Sequence, residues 1–80
     1  MTQIEEKMAV AYFKEIGYKE GENGFVIDNN TAEDVEEEFY QLTGVRFRDC
    51  DEDLIKAVYA GFFKGYFEKK AEEWVKEWKK

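Results

Sequence analysis

The chain has 80 residues, 44% of them hydrophobic and 18% aromatic, with no proline, no histidine, one cysteine and a net charge of −7. So many rings exclude a disordered composition, and a single domain spanning 1–80 buries about 60% of its unfolded surface, enough for a small core. The acidic balance disfavours direct contact with nucleic acid or anionic membranes and favours a protein partner with a basic surface.

The first helix is announced by Thr2 and Glu5, a capping box. Ile4, Met8, Tyr12 and Ile16 follow at i+4 spacing, with Ala9 and Phe13 widening the stripe, and Gly17 is read as the residue that closes the helix. Tyr18–Asp28 reads as a β-hairpin around Gly21-Glu22-Asn23-Gly24, because Asn-Gly is a strong hairpin signal. A second helix is capped by Asn30 or Thr31, carries Ala32, Val35, Phe39 and Leu42 on its inner stripe, and ends at Gly44. Val45-Arg46-Phe47-Arg48 alternates apolar and basic residues and supplies a third strand.

Asp51–Lys80 reads as one long helix, with Asp51, Glu52 and Asp53 at the positive end of its dipole and Lys76, Lys79 and Lys80 at the negative end. It carries two apolar stripes roughly 150° apart at 100° per residue. Leu54, Ile55, Val58, Phe62 and Tyr66 form the first, with Tyr59 at its margin; Ala60, Phe63, Phe67, Ala71, Trp74 and Trp78 form the second. One face suffices for the core, so the second needs its own explanation: either other segments of the chain wrap both faces, or the Phe67–Trp78 half is a surface for a homodimer or another partner, which is the expectation here. Gly61 and Gly65, with Ala57, make a small-residue ridge on which the first helix can lie closely. The expected fold is α+β: α-β-β-α-β-α with a three-stranded antiparallel sheet and a long C-terminal helix, the alternative being a three-helix bundle.

The chemistry is sparse. The chain lacks histidine and serine, and Cys50 lies between Asp49 and Asp51, which disfavour a thiolate. Asp49-x-Asp51-x-Asp53 matches the start of a calcium loop, but Leu54 stands where glycine is needed and Ala60 where glutamate is needed. No enzyme activity, metal or cofactor is therefore expected. A lone cysteine, charges throughout the first twenty residues and no apolar run long enough for a membrane span point to a cytoplasmic protein.

Charge segregation gives the functional expectation. From Glu20 to Asp53, twelve acids stand against Arg46 and Arg48, a balance of −10, whereas the flanks hold seven acids and ten lysines, +3. Glu20, Glu22, Glu33, Asp34, Glu36, Glu37, Asp49, Asp51, Glu52 and Asp53 would form an acidic face that occupies a basic, nucleic-acid-binding site on a partner. In size and composition the chain is similar to small acidic inhibitors of phages and mobile elements, such as anti-CRISPR and anti-restriction proteins, although no motif identifies a family. The alternative is a structural or adaptor protein that oligomerises through Phe63, Phe67, Ala71, Trp74 and Trp78.

Overall fold

A computed structural model describes residues 6–78. It contains α1 (Glu6–Glu22), α2 (Thr31–Thr43), a 3-10 turn at Phe47–Asp49 and α3 (Glu52–Trp78). Among the described residues there is no strand, so the three-stranded sheet and the α+β class are replaced by a helical bundle. The capping box at Thr2 and Glu5, the residue Ile4, and the terminal Lys79 and Lys80 lie outside the described residues.

The bundle is held by backbone against backbone. Gly61 lies on Val10, and Gly65 on Lys14 and Tyr18; Gly17 lies on Phe62 and Tyr66, and Gly21 on Tyr66 and Lys69. Both helices thus advance together, so α1 and α3 run parallel. A Cβ on Gly61 would stand 2.5 Å from the Val10 carbonyl oxygen, and one on Gly17 or Gly65 would collide with the carbonyl of Phe62 or Lys14. The ridge at Gly61 and Gly65 therefore receives the first helix, as its spacing implies. The side of α1 that meets it carries two glycines of its own. Lys14–Glu68 at 3.4 Å, Tyr18–Glu72 at 2.8 Å and Lys69–Glu22 at 4.0 Å follow the same parallel register. Such exposed pairs contribute little beyond alignment.

This contact explains two corrections in α1. Gly17 does not end the helix; it is buried inside it, and Tyr18–Glu22 is helical rather than strand. The buried face is Ala9, Phe13, Gly17 and Gly21, one residue around from the expected Met8 and Tyr12, which are 58% and 43% exposed. Glycine placement, not the largest side chains, sets which way α1 faces.

The hairpin signal also has another use here. Gly24 takes φ +84°, Gly24 N–H donates to the Gly21 carbonyl at 3.3 Å, and Phe25 N–H donates to the Glu20 carbonyl at 2.9 Å. That pair of bonds is the Schellman closure of α1. The positive φ that suits Asn-Gly to a hairpin equally suits it to a helix end. Phe25 then turns back against Phe62 and Tyr66, ring centroids 5.9 and 6.2 Å apart, and its carbonyl accepts the Tyr66 hydroxyl at 2.7 Å.

α2 is fastened by a turn, not by Asn30, whose side chain makes no capping bond. The Asp28 N–H donates to Thr31 Oγ1 and the Asn30 N–H to Asp28 Oδ1, both at 2.8 Å. Gly44 closes the helix in the left-handed conformation, φ 74°. Val35 and Phe39 are buried inner residues; Ala32 and Leu42 are exposed. With no hairpin to pair with, Val45 and Arg46 lead into the 3-10 turn, and Phe47 and Arg48 lie within it. Phe47 inserts between Phe39 and Tyr59, centroids 5.0 and 5.5 Å away, and its N–H donates to Glu36 at 3.2 Å. The core is Ala9, Phe13, Val35, Phe39, Phe47, Val58 and Phe62, with Ile16, Phe25, Val45 and Leu54 packed against it.

Two substitutions test this packing. Gly65→Ala should destabilise by about 1–3 kcal/mol through overpacking, although the same change in a free helix stabilises by about 1 kcal/mol. Phe13→Ala should cost roughly 3–5 kcal/mol and Met8→Ala within about 0.5 kcal/mol of nothing. Urea midpoints measure all three; a Gly65→Ala chain more stable than the parent would contradict the close approach.

Candidate functional site

α3 is a single unbroken helix of 27 residues, and its two stripes have separate fates. Val58, Phe62 and Tyr66 are buried beneath α1 and the loop after it, with Leu54 and Ile55 half-buried. The second stripe begins as an aromatic ladder. Tyr59 stacks on Phe63 at 6.4 Å and Phe63 on Phe67 at 6.3 Å. Its first rung, Tyr59, lies against Phe47, and Phe63 is half-buried.

Beyond Phe63 nothing among the described residues covers the stripe. Glu22, the last residue of α1, reaches Lys69, and Tyr18 reaches Glu72, so Trp74–Trp78 runs on past the end of α1. The stripe points roughly 130° away from the glycine face, at 100° per residue, so α1 does not cover it. Phe67 is 51% exposed, Trp74 57% and Trp78 89%, and Ala71, Trp74, Val75 and Trp78 line a shallow apolar hollow. Val75, half exposed, belongs to this surface although the stripe assignment omitted it.

Of the expected acidic residues, some line one cleft and others stand elsewhere on α2, the 3-10 turn and α3. Glu20, Asp34 and Glu37 come together, with Glu38, around a cleft where the end of α1 meets α2. Asp49 lies in the 3-10 turn and Asp51, Glu52 and Asp53 at the start of α3. Ten residues of helix separate Glu52 from Phe62 at the cleft, about 15 Å. Several acids already have partners. Glu36 accepts the Phe47 N–H, Glu37 pairs with Arg46 at 3.3 Å, Glu22 with Lys69, and Glu52 with Lys56 at 3.2 Å. Arg46 also lies 3.8 Å above the Tyr40 ring. Glu33 is exposed.

The perturbed groups all shift away from reactivity. Burial, then Asp49 and Asp51, raises the Cys50 thiol pKa, and its Sγ–H donates to the Arg46 carbonyl at 3.4 Å. Tyr59 is raised by burial and then by Glu36. Tyr18 is raised chiefly because its hydroxyl donates to Glu72. Among the described residues no group of three or more acids and cysteine is placed to hold a metal ion, and no helix is long and apolar enough to cross a membrane.

No protein-family model, curated protein or solved structure matches the chain. Its own geometry therefore carries the functional reading.

Because burial leads the shift, Cys50 should alkylate slowly at pH 7.5 in the folded chain and faster in urea. Iodoacetamide kinetics followed by mass spectrometry measure both rates; a faster folded-state reaction would show an activated thiolate instead.

Proposed function

We propose that the chain is a non-catalytic assembly module that joins copies of itself through the distal outer face of α3. The observation that carries this reading is the aromatic end of α3, which continues past α1 and turns away from the core. Phe67, Trp74, Val75 and Trp78 leave roughly 500 Å² of apolar side chain in water. That is the size of the largest apolar patch on a typical monomer, which is often a functional surface. Among the described residues the last turns of α3 also pack against no other element, and an isolated helical segment is marginal in water. A covering surface supplies both.

The acidic-inhibitor expectation has less behind it. Glu22, Glu36, Glu37 and Glu52 have partners within the chain; of the remaining acids Glu20 and Asp34 line the cleft, Glu33 is exposed on α2, Asp49 lies in the 3-10 turn, and Asp51 and Asp53 stand at the start of α3. In this reading the acidic body maintains solubility. A single cysteine suits a reducing compartment such as the cytoplasm.

Sedimentation over a hundredfold concentration range tests the proposal. The parent chain should shift from monomer to dimer, and Trp74→Glu should remain monomeric with unchanged helical circular dichroism. A parent chain that stays monomeric throughout would contradict the proposal.

A further inference from the structure

We infer that the occupant of this face is the same face of a second copy, laid antiparallel across it. The inference rests on the assembly proposed above and specifies its partner and register. Phe67, Ala71, Trp74 and Trp78 are spaced 4, 3 and 4 residues apart, the alternation of the d and a positions of a heptad repeat. In an antiparallel pair, a and d positions meet in shared layers. Ala71 then lies against the partner's Trp74, and Phe67 against the partner's Trp78. Each small residue meets a large one across the central layers. A parallel pair would instead set Trp74 against the partner's Trp74 and leave Ala71 facing the partner's Ala71, crowding one layer and emptying the next.

The flanking charges select the same orientation. Lys70 and Glu77 are the two g positions beside the stripe. In antiparallel helices g faces g, so Lys70 meets the partner's Glu77, and the two-fold axis repeats the pair. In a parallel pair g faces e, and Lys70 would meet the partner's Val75. In the isolated chain Lys70 is held by Glu73 at 3.5 Å and lies near the Tyr66 ring at the surface. The longer-range field agrees. From Glu68 onward four acids stand against five lysines, +1, so the first 67 residues carry fifteen acids against seven bases, −8. An antiparallel pair keeps the two acidic bodies at opposite ends, whereas a parallel pair brings them together.

The geometry of one chain leaves room for the other. The glycine face holding α1 points away, and the partner's Trp78 stops at Phe67, short of Phe63 and the 3-10 turn. The pair covers about 1,000 Å² of apolar surface, the lower end of specific interfaces. The dimer should therefore dissociate on dilution.

Charge exchange tests the register by sedimentation equilibrium. Lys70→Glu and Glu77→Lys, each alone, put like charges in both g–g contacts and should weaken self-association about tenfold or more. An equimolar mixture of the two variants restores both pairs across the heterodimer and should associate at least as tightly as the parent. Mixing cannot rescue a folding defect, so any variant that merely misfolds leaves the mixture weak and overturns the inference. Single variants that dimerise like the parent, while Trp74→Glu does not, would overturn the antiparallel register and leave assembly through the stripe standing. A parent chain that is monomeric throughout would overturn both.

Discussion

The contact on which the rest depends is the side-chain-free approach of α1 to α3. Gly17 on one helix and Gly61 and Gly65 on the other bring the backbones together where any Cβ would intrude, and Gly21 extends the contact along the Lys69 side chain. Four helix-interior glycines cost about 1 kcal/mol each relative to alanine, and close packing along α1 and α3 offsets that cost. Because the two helices are parallel, no short turn can join them. The segment between α1 and α3 must return along the bundle, and it is this return that carries α2 and the 3-10 turn. The topology follows from the glycines.

Aromatic rings then secure the return segment. Phe25 closes the end of α1 and is tied to Tyr66; Phe39 meets Phe13 at 6.3 Å; Phe47 fills the gap between Phe39 and Tyr59. Large rings let few residues seal a small core. They are spent on one side of α3 and on the N-terminal half of the other side. The rings that remain, Phe67, Trp74 and Trp78, are left in water because the chain has no further segment among the described residues to lay over them. Fold and candidate site thus share one cause: glycine fixes α1 on one face of α3, and the opposite face outruns the return segment.

Much of this is legible in the residues. The length of α3, its two stripes, the ridge at Gly61 and Gly65 and the closure of α2 at Gly44 all follow from spacing. The sheet was misread because Asn23-Gly24 and Val45–Arg48 carry signals with two physical solutions. A positive-φ glycine serves a hairpin or a helix end, and an alternating tetrapeptide makes a strand only where another strand offers its edge. The rotation of α1 was misread because Gly17 resembles a terminator, while its real partner, Phe62, lies far away in sequence. On α3, Val75, Lys70 and Glu77 lie outside the stripe itself; they are the e and g positions that flank its a and d residues, so an apolar-stripe criterion passes over them.

The central claim, that the outer end of α3 is covered by another copy, has a direct optical readout. Trp74 and Trp78 are the chain's only tryptophans, and both lie in the stripe. Tryptophan emission should have the maximum of a water-exposed indole at nanomolar concentration and shift steadily to the blue as concentration rises. The shift should follow a single binding curve that matches the sedimentation midpoint. Emission that stays at the water-exposed maximum while the chain is concentrated, with no second copy shielding the indoles, would contradict the account.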